Sequence, residues 1–311
     1  MHLEGTAPPA LIRRIARRNG LPVPDGLFDG DERFAYGDFL DFLRAYDDAA
    51  SVIRTGEDYR DITYEYLRSC AEQGAIYVEL TASPDHAALV GLSDEEHVDG
   101  IVRGIDDARA HGIEGRILIS AVRNFGVPQA LRVARYAAGR PHPYVVGFSM
   151  AGDEENYPAH LFAEPYAIAS EAGLGCTMHA GEWAGPESVR AALELPITRV
   201  SHGVRAIEDP ALVEELAQRG ITLECCPTSN VVLGVYRSYE EHPLRRLADA
   251  GVRITLGSDD PPYFGASIGG EYDVAQHELG LDEEHLKAIT ATAVDAAFCD
   301  ERVKTELTAR L

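Results

Sequence analysis

The stretch "EHVDGIVRGIDDARAHG" (residues 96–112), followed shortly by "RILISAV" (116–122), sets the pattern of this chain. The first part places Val98, Ile101, Ile105 and Ala108 on one helical stripe. The second is apolar, β-branched and continuous rather than alternating, as expected of a strand buried on both faces of a parallel sheet. Runs of the same kind recur at "AIYVEL" (75–80), "YVVGFSM" (144–150), "GLGCTMH" (173–179), "TRVSH" (198–202), "ITLECC" (221–226) and "VRITLGS" (252–258). Helical stretches lie between them. "PALVEELAQRG" (210–220) opens on a Pro and closes on a Gly, and "YEEHPLRRLADAG" (239–251) closes the same way. Strands alternating with helices predict parallel βαβ units and an α/β fold, the (β/α)8 TIM barrel. An eighth strand would have to precede Gly5, so the first strand is expected to be truncated at the N-terminus. Residues 1–311 read as one barrel domain, with no linker, repeat or low-complexity segment.

The formal charge of −23 describes a surface that repels phosphate backbones and anionic membranes, so neither nucleic acid nor membrane is expected as a partner. The cysteines, Cys70, Cys176, Cys225, Cys226 and Cys299, are odd in number and contain no CxxC, which argues against a disulfide framework and for a reducing compartment. No apolar run is long enough to span a bilayer and no signal-peptide pattern opens the chain. A cytoplasmic location is expected. Nothing in the sequence decides whether the chain forms homo-oligomers.

In such barrels the chemistry sits at the C-terminal ends of the strands. The polar residues there are Glu79 and Thr81, Arg123 and Asn124, Gly152 to Glu154, His179 and Glu182, His202, Thr228 to Asn230, and Asp259 with Asp260. In "HAGE" (179–182) a strand-end histidine is followed, past a turn-permitting glycine, by a carboxylate that can reach the same space. The pair suits a metal ligand plus a general acid/base, or a hydrogen-bonded loop histidine. In "GSDDP" (257–261) two adjacent carboxylates end an apolar strand, which is costly unless a cation or a shared proton compensates. Together these are the parts of a mononuclear hydrolytic zinc site, with one Zn2+ per chain.

These pieces carry a family resemblance. "HLEG" (2–5), "YVEL" (77–80), "GFSMAGDE" (147–154), "MHAGE" (178–182), "VSHGVR" (200–205), "CPTSN" (226–230) and "GSDDP" (257–261) resemble, in order and over the whole chain, the adenosine/adenine deaminases of the amidohydrolase superfamily. The resemblance implies His2, His179 and Asp259 as zinc ligands. It implies Glu182 as proton donor to the purine ring nitrogen, His202 as the residue that orients and deprotonates the attacking water, and Asp260 as its partner and a purine contact. The Gly152 backbone is implied as a purine contact and Glu4 as an acidic group near a ribose.

The implied reaction is hydrolytic loss of the 6-amino group. Adenosine or 2′-deoxyadenosine is expected as substrate, because "AGDE" resembles nucleoside-type members. Glu4 and "SDDPPYFG" (258–265) resemble the free-base branch, so adenine is the alternative, as is a larger 6-amino nucleoside such as that of the menaquinone-pathway deaminases. A ligand-binding barrel without turnover and an amidohydrolase acting on an amide or ester are the rival classes. Residues 36–59 form a helix pattern with Phe39, Phe42 and Tyr46, placed like a helix that lids the pocket. The resemblance also places a second histidine before Met1, so "MHLEG" is expected to continue a longer H-M-H-L-E-G frame.

Overall fold

A computed structural model describes residues 1–30 and 33–311. After helix α1 (Pro9–Arg18), strands β1 (Phe28–Asp29) and β2 (Arg33–Phe34) form a small antiparallel pair. Helices α2 (Phe39–Ala50) and α3 (Gly56–Glu72) follow. The seven expected runs then become β3 (Tyr77–Ala82), β4 (Glu114–Val122), β5 (Val145–Ala151), β6 (Gly175–Ala180), β7 (Arg199–His202), β8 (Thr222–Cys225) and β9 (Arg253–Leu256). They pair in parallel, in sequence order, as one curled sheet with helices outside: the TIM-barrel type of α/β fold. The strands read as continuous apolar runs because both faces are covered. In β4, Ile117, Leu118, Ile119 and Ala121 are all buried.

The first residues lie along the free edge of β3. Leu3 N–H donates to Thr81 O at 2.8 Å, and Thr81 N–H donates to Met1 O at 3.1 Å. His2 forms a parallel bridge with Thr81, and the chain then turns into a 3-10 segment, Glu4–Thr6. The expected short first strand is thus a single bridge, which still delivers His2 to the level of the other strand ends.

Two expectations are corrected. Residues 36–59 are not one helix. The backbone breaks between α2 and α3, where the Asp58 carboxylate accepts the N–H groups of Arg54 and Thr55, both at 2.9 Å, and Thr55 completes a capping box. Glu79 is not at the mouth. β3 runs on to Ala82, which leaves Glu79 a layer deeper, paired with Arg199 at 2.7 Å. All five cysteines are buried free thiols. Among the described residues no helix is long and apolar enough to cross a membrane.

Candidate active site

At the C-terminal ends of the strands the structure brings together His2, His179, Glu182, His202, Asp259 and Asp260 around one cavity of about 170 Å³. Glu4 and Gly152 line the same cavity. α2 supplies one wall with Phe39, Phe42, Leu43 and Tyr46, so the aromatics of the expected lid helix do face the pocket.

The donor set fits a divalent metal ion. His179 Nδ1 donates to the Met150 carbonyl at 3.0 Å, which leaves the lone pair on Nε2. That nitrogen faces His2 Nε2 at 3.1 Å, and Asp259 Oδ1 lies 3.6 Å from His2 Nε2. Asp259 is held from behind, its Oδ2 accepting the Ser229 hydroxyl at 2.7 Å. Burial depresses the pKa of His2 to about 4 and that of His179 well below the usual range, so both rings offer lone pairs at neutral pH. Two lone-pair nitrogens and a carboxylate within ligand spacing of one another suit a tetrahedral centre with an open position. Cys226 with His202 and Asp259 makes a second such trio, sharing Asp259 with the first.

Local backbone places these groups. Gly181, at φ +66°, turns the chain between His179 and Glu182. Gly5 leaves room for Asp260, since a Cβ there would meet Asp260 Oδ1 at 1.7 Å. His202 and Asp259 themselves sit at φ +61° and +55°, strained conformations that the surrounding strand ends impose. Glu182 is buried, with Oε2 3.7 Å from His202 Nε2, and burial raises its pKa to about 7. Burial and the neighbouring Asp259 carboxylate push Asp260 well above the usual carboxylate range, and its Oδ1 has no hydrogen-bond partner among the described residues.

Glu4 is spent on the protein itself. Its Oε1 accepts Ser83 N–H at 3.1 Å and the Tyr59 hydroxyl at 3.4 Å, and its Oε2 accepts the Tyr46 hydroxyl at 3.3 Å.

The "GDE" segment holds a residue whose part was not foreseen. The Glu154 carboxylate accepts Gly181 N–H at 2.8 Å, Glu182 N–H at 2.9 Å, Ala184 N–H at 2.8 Å, the Ser188 hydroxyl at 2.7 Å, and Trp183 N–H. One side chain therefore ties down the whole turn that carries Glu182. Its place at a strand end was visible in the sequence, but its partners were not. Asn230 and His242, behind His202, gave no local signal beyond "CPTSN" for the first.

A sequence profile described as adenosine deaminase matches residues 1–311. The chain belongs to the adenosine deaminase family. It is a hydrolase of the amidine C–N bond type. It is 48% identical over its whole length to an adenine deaminase of Chelativorans sp. (strain BNC1), of which it covers 95%, and 45% identical to an adenine deaminase of Rhizobium meliloti (strain 1021), of which it covers 96%. Among solved structures it matches an adenine deaminase from Arthrobacter aurescens with TM-score 0.93 and 27% identity, over 99% of this chain and 95% of that one. It also matches a zinc-bound amidohydrolase from Burkholderia ambifaria with TM-score 0.88 and 26% identity, over 99% of this chain and 86% of that one.

Proposed function

We propose that this deaminase removes the 6-amino group of adenine by hydrolysis, giving hypoxanthine and ammonia, and that residues 1–311 act as one catalytic unit. The observation that carries the reading is the convergence of His2, His179 and Asp259 beside a buried, high-pKa Glu182 in one aromatic-walled cavity. The free base is preferred over adenosine, against the expectation from "AGDE". Adenine deaminases are the relatives at 45–48% identity along the whole chain. The oxygens of Glu4 are also taken up by Ser83, Tyr46 and Tyr59, which favours a role in shaping the cavity over one in holding a ribose hydroxyl.

His2, His179 and Asp259 would hold the metal, which we take to be zinc. When bound, it supplies Lewis-acid activation of the attacking water. Glu182, a carboxylic acid up to about pH 7, delivers its proton to the ring nitrogen beside the carbon under attack. His202, whose Nε2 lies 3.7 Å from Glu182 Oε2, orients the water. Asp260 offers its unpartnered Oδ1 to the water and a purine nitrogen, and the Gly152 backbone lies along the base. The test is ammonia release from adenine by zinc-loaded protein, matched by hypoxanthine and lost with a strong chelator. No ammonia from adenine, adenosine or 2′-deoxyadenosine would overturn the reading.

A further inference from the structure

Behind His202 runs a chain of hydrogen bonds whose direction is fixed at its far end. The Leu244 backbone N–H lies 3.3 Å from His242 Nδ1. A backbone amide only donates, so His242 Nδ1 holds a lone pair. Burial depresses the His242 pKa to about 3, so the ring is neutral and its one N–H is on Nε2. That N–H donates to Asn230 Oδ1 at 3.1 Å. The amide's other end is then fixed as well: Asn230 Nδ2 donates to His202 Nδ1 at 3.2 Å. His202, Asn230 and His242 are all buried.

With Nδ1 accepting from Asn230, the ring proton of His202 lies on Nε2. This is the nitrogen 3.7 Å from Glu182 Oε2 and 4.0 Å from Asp259 Oδ2. We propose that Asn230 and His242 are positioning residues that lock His202 in the Nε2–H tautomer, so that it presents a hydrogen-bond donor to the reacting centre. The consequence for the reaction rests on the function proposed above, whereas the tautomer itself does not. In this tautomer the facing nitrogen has no lone pair with which to take a proton from water, so that proton passes to the Glu182 carboxylate, left after Glu182 has protonated the ring nitrogen, and from there to the departing ammonia. The facing nitrogen donates to the oxygen on which charge develops, as preorganised donors do in other active sites.

The test uses zinc-loaded, full-length protein labelled with 15N-histidine. The wild type should show His202 with a protonated Nε2 and an unprotonated Nδ1. Asn230→Asp keeps the shape but replaces the donor with an acceptor, and should move the His202 proton to Nδ1. kcat should fall about 100-fold, with KM little changed. His242→Phe should leave a mixture of tautomers and an intermediate kcat. A wild-type His202 protonated on Nδ1, or an Asn230→Asp variant with unaltered spectrum and kcat, would overturn the proposal. Failure to turn over any aminopurine would instead strike the proposed function, because the spectrum reads the tautomer without turnover.

Discussion

The barrel holds two buried polar clusters, one above the other, and they are built on opposite principles. In the deeper one, Arg199 pairs with Glu79 at 2.7 Å and Glu224 at 2.9 Å, and its guanidinium lies 3.5 Å over the Phe298 ring. The spare carboxylate oxygens are filled too. Glu224 Oε2 accepts Thr177 and Ser201, each at 2.7 Å, and Glu79 Oε1 accepts Phe298 N–H at 2.6 Å. Every charge there has a partner within the protein. At the mouth, Glu4, Glu182, Asp259 and Asp260 share a cavity with His2, His179 and His202, and no Lys or Arg is among its described lining residues. The deep cluster is electrostatically complete, whereas at the mouth Arg123 stands behind the strand end, donating to the His179 carbonyl at 2.7 Å, and no Lys or Arg lines the described cavity wall. Buried carboxylates and imidazole lone pairs left facing one another are costly unless something positive comes between them. The first arrangement stabilises the fold, and the second is the one proposed above to hold a metal and a purine.

Substitutions can break this contrast. The largest effect is expected at the mouth. His179→Ala should drop both bound metal and turnover to background, measured by elemental analysis and ammonia release. Retained metal would remove His179 from the ligand set. Glu182→Gln should keep the metal and lower kcat by about 10³-fold, because it removes the proposed proton donor and leaves the proposed ligands in place. In the deep cluster the sign reverses. Arg199→Met strands two buried carboxylates and should cost about 3–5 kcal/mol in denaturant unfolding, with metal content per folded chain retained.

A smaller effect is expected at the tie between strand end and turn. Glu154→Gln puts an amide N–H against backbone donors that now meet a carboxylate, and should lower kcat by about 10- to 100-fold as Glu182 shifts. The smallest concerns Glu271, which accepts Thr228 N–H at 3.3 Å behind the mouth. Burial raises its pKa to about 7. Its folded-state pKa lies above the unfolded value, so the stability it contributes is complete below about pH 4.5 and is lost as pH rises through 7. Glu271→Gln should flatten that slope by about 1–3 kcal/mol, read as a higher melting temperature relative to wild type at pH 8 than at pH 5.

The same contrast separates what could be read in the sequence from what could not. The seven strands were legible because burial on both faces forces continuous apolar runs, and a parallel sheet needs helices between them. The mouth residues were legible because histidine and aspartate ending such runs have few reasons to be there. Glu79 was misplaced because its apolar run ends near residue 80, while hydrogen bonding with β4 carries the strand on to Ala82. The break between α2 and α3 was hidden because a single carboxylate, Asp58, captures two backbone donors without disturbing the apolar spacing. Asn230 was legible as a strand-end polar residue, but its link to His202 and the part of His242 were not, because these partners lie 28 and 12 residues away along the chain and meet only once the barrel curls. Glu154 stood in plain view at a strand end, but its grip on residues 181–184 depends on the neighbouring strand end lying beside it.

The most direct test of the account compares kcat/KM for adenine and adenosine on the same zinc-loaded preparation. A mouth shaped for the free base, with Glu4 bound to Ser83, Tyr46 and Tyr59, predicts a ratio of at least about tenfold in favour of adenine, equivalent to about 1.4 kcal/mol of differential transition-state binding. An equal or greater kcat/KM for adenosine would contradict it.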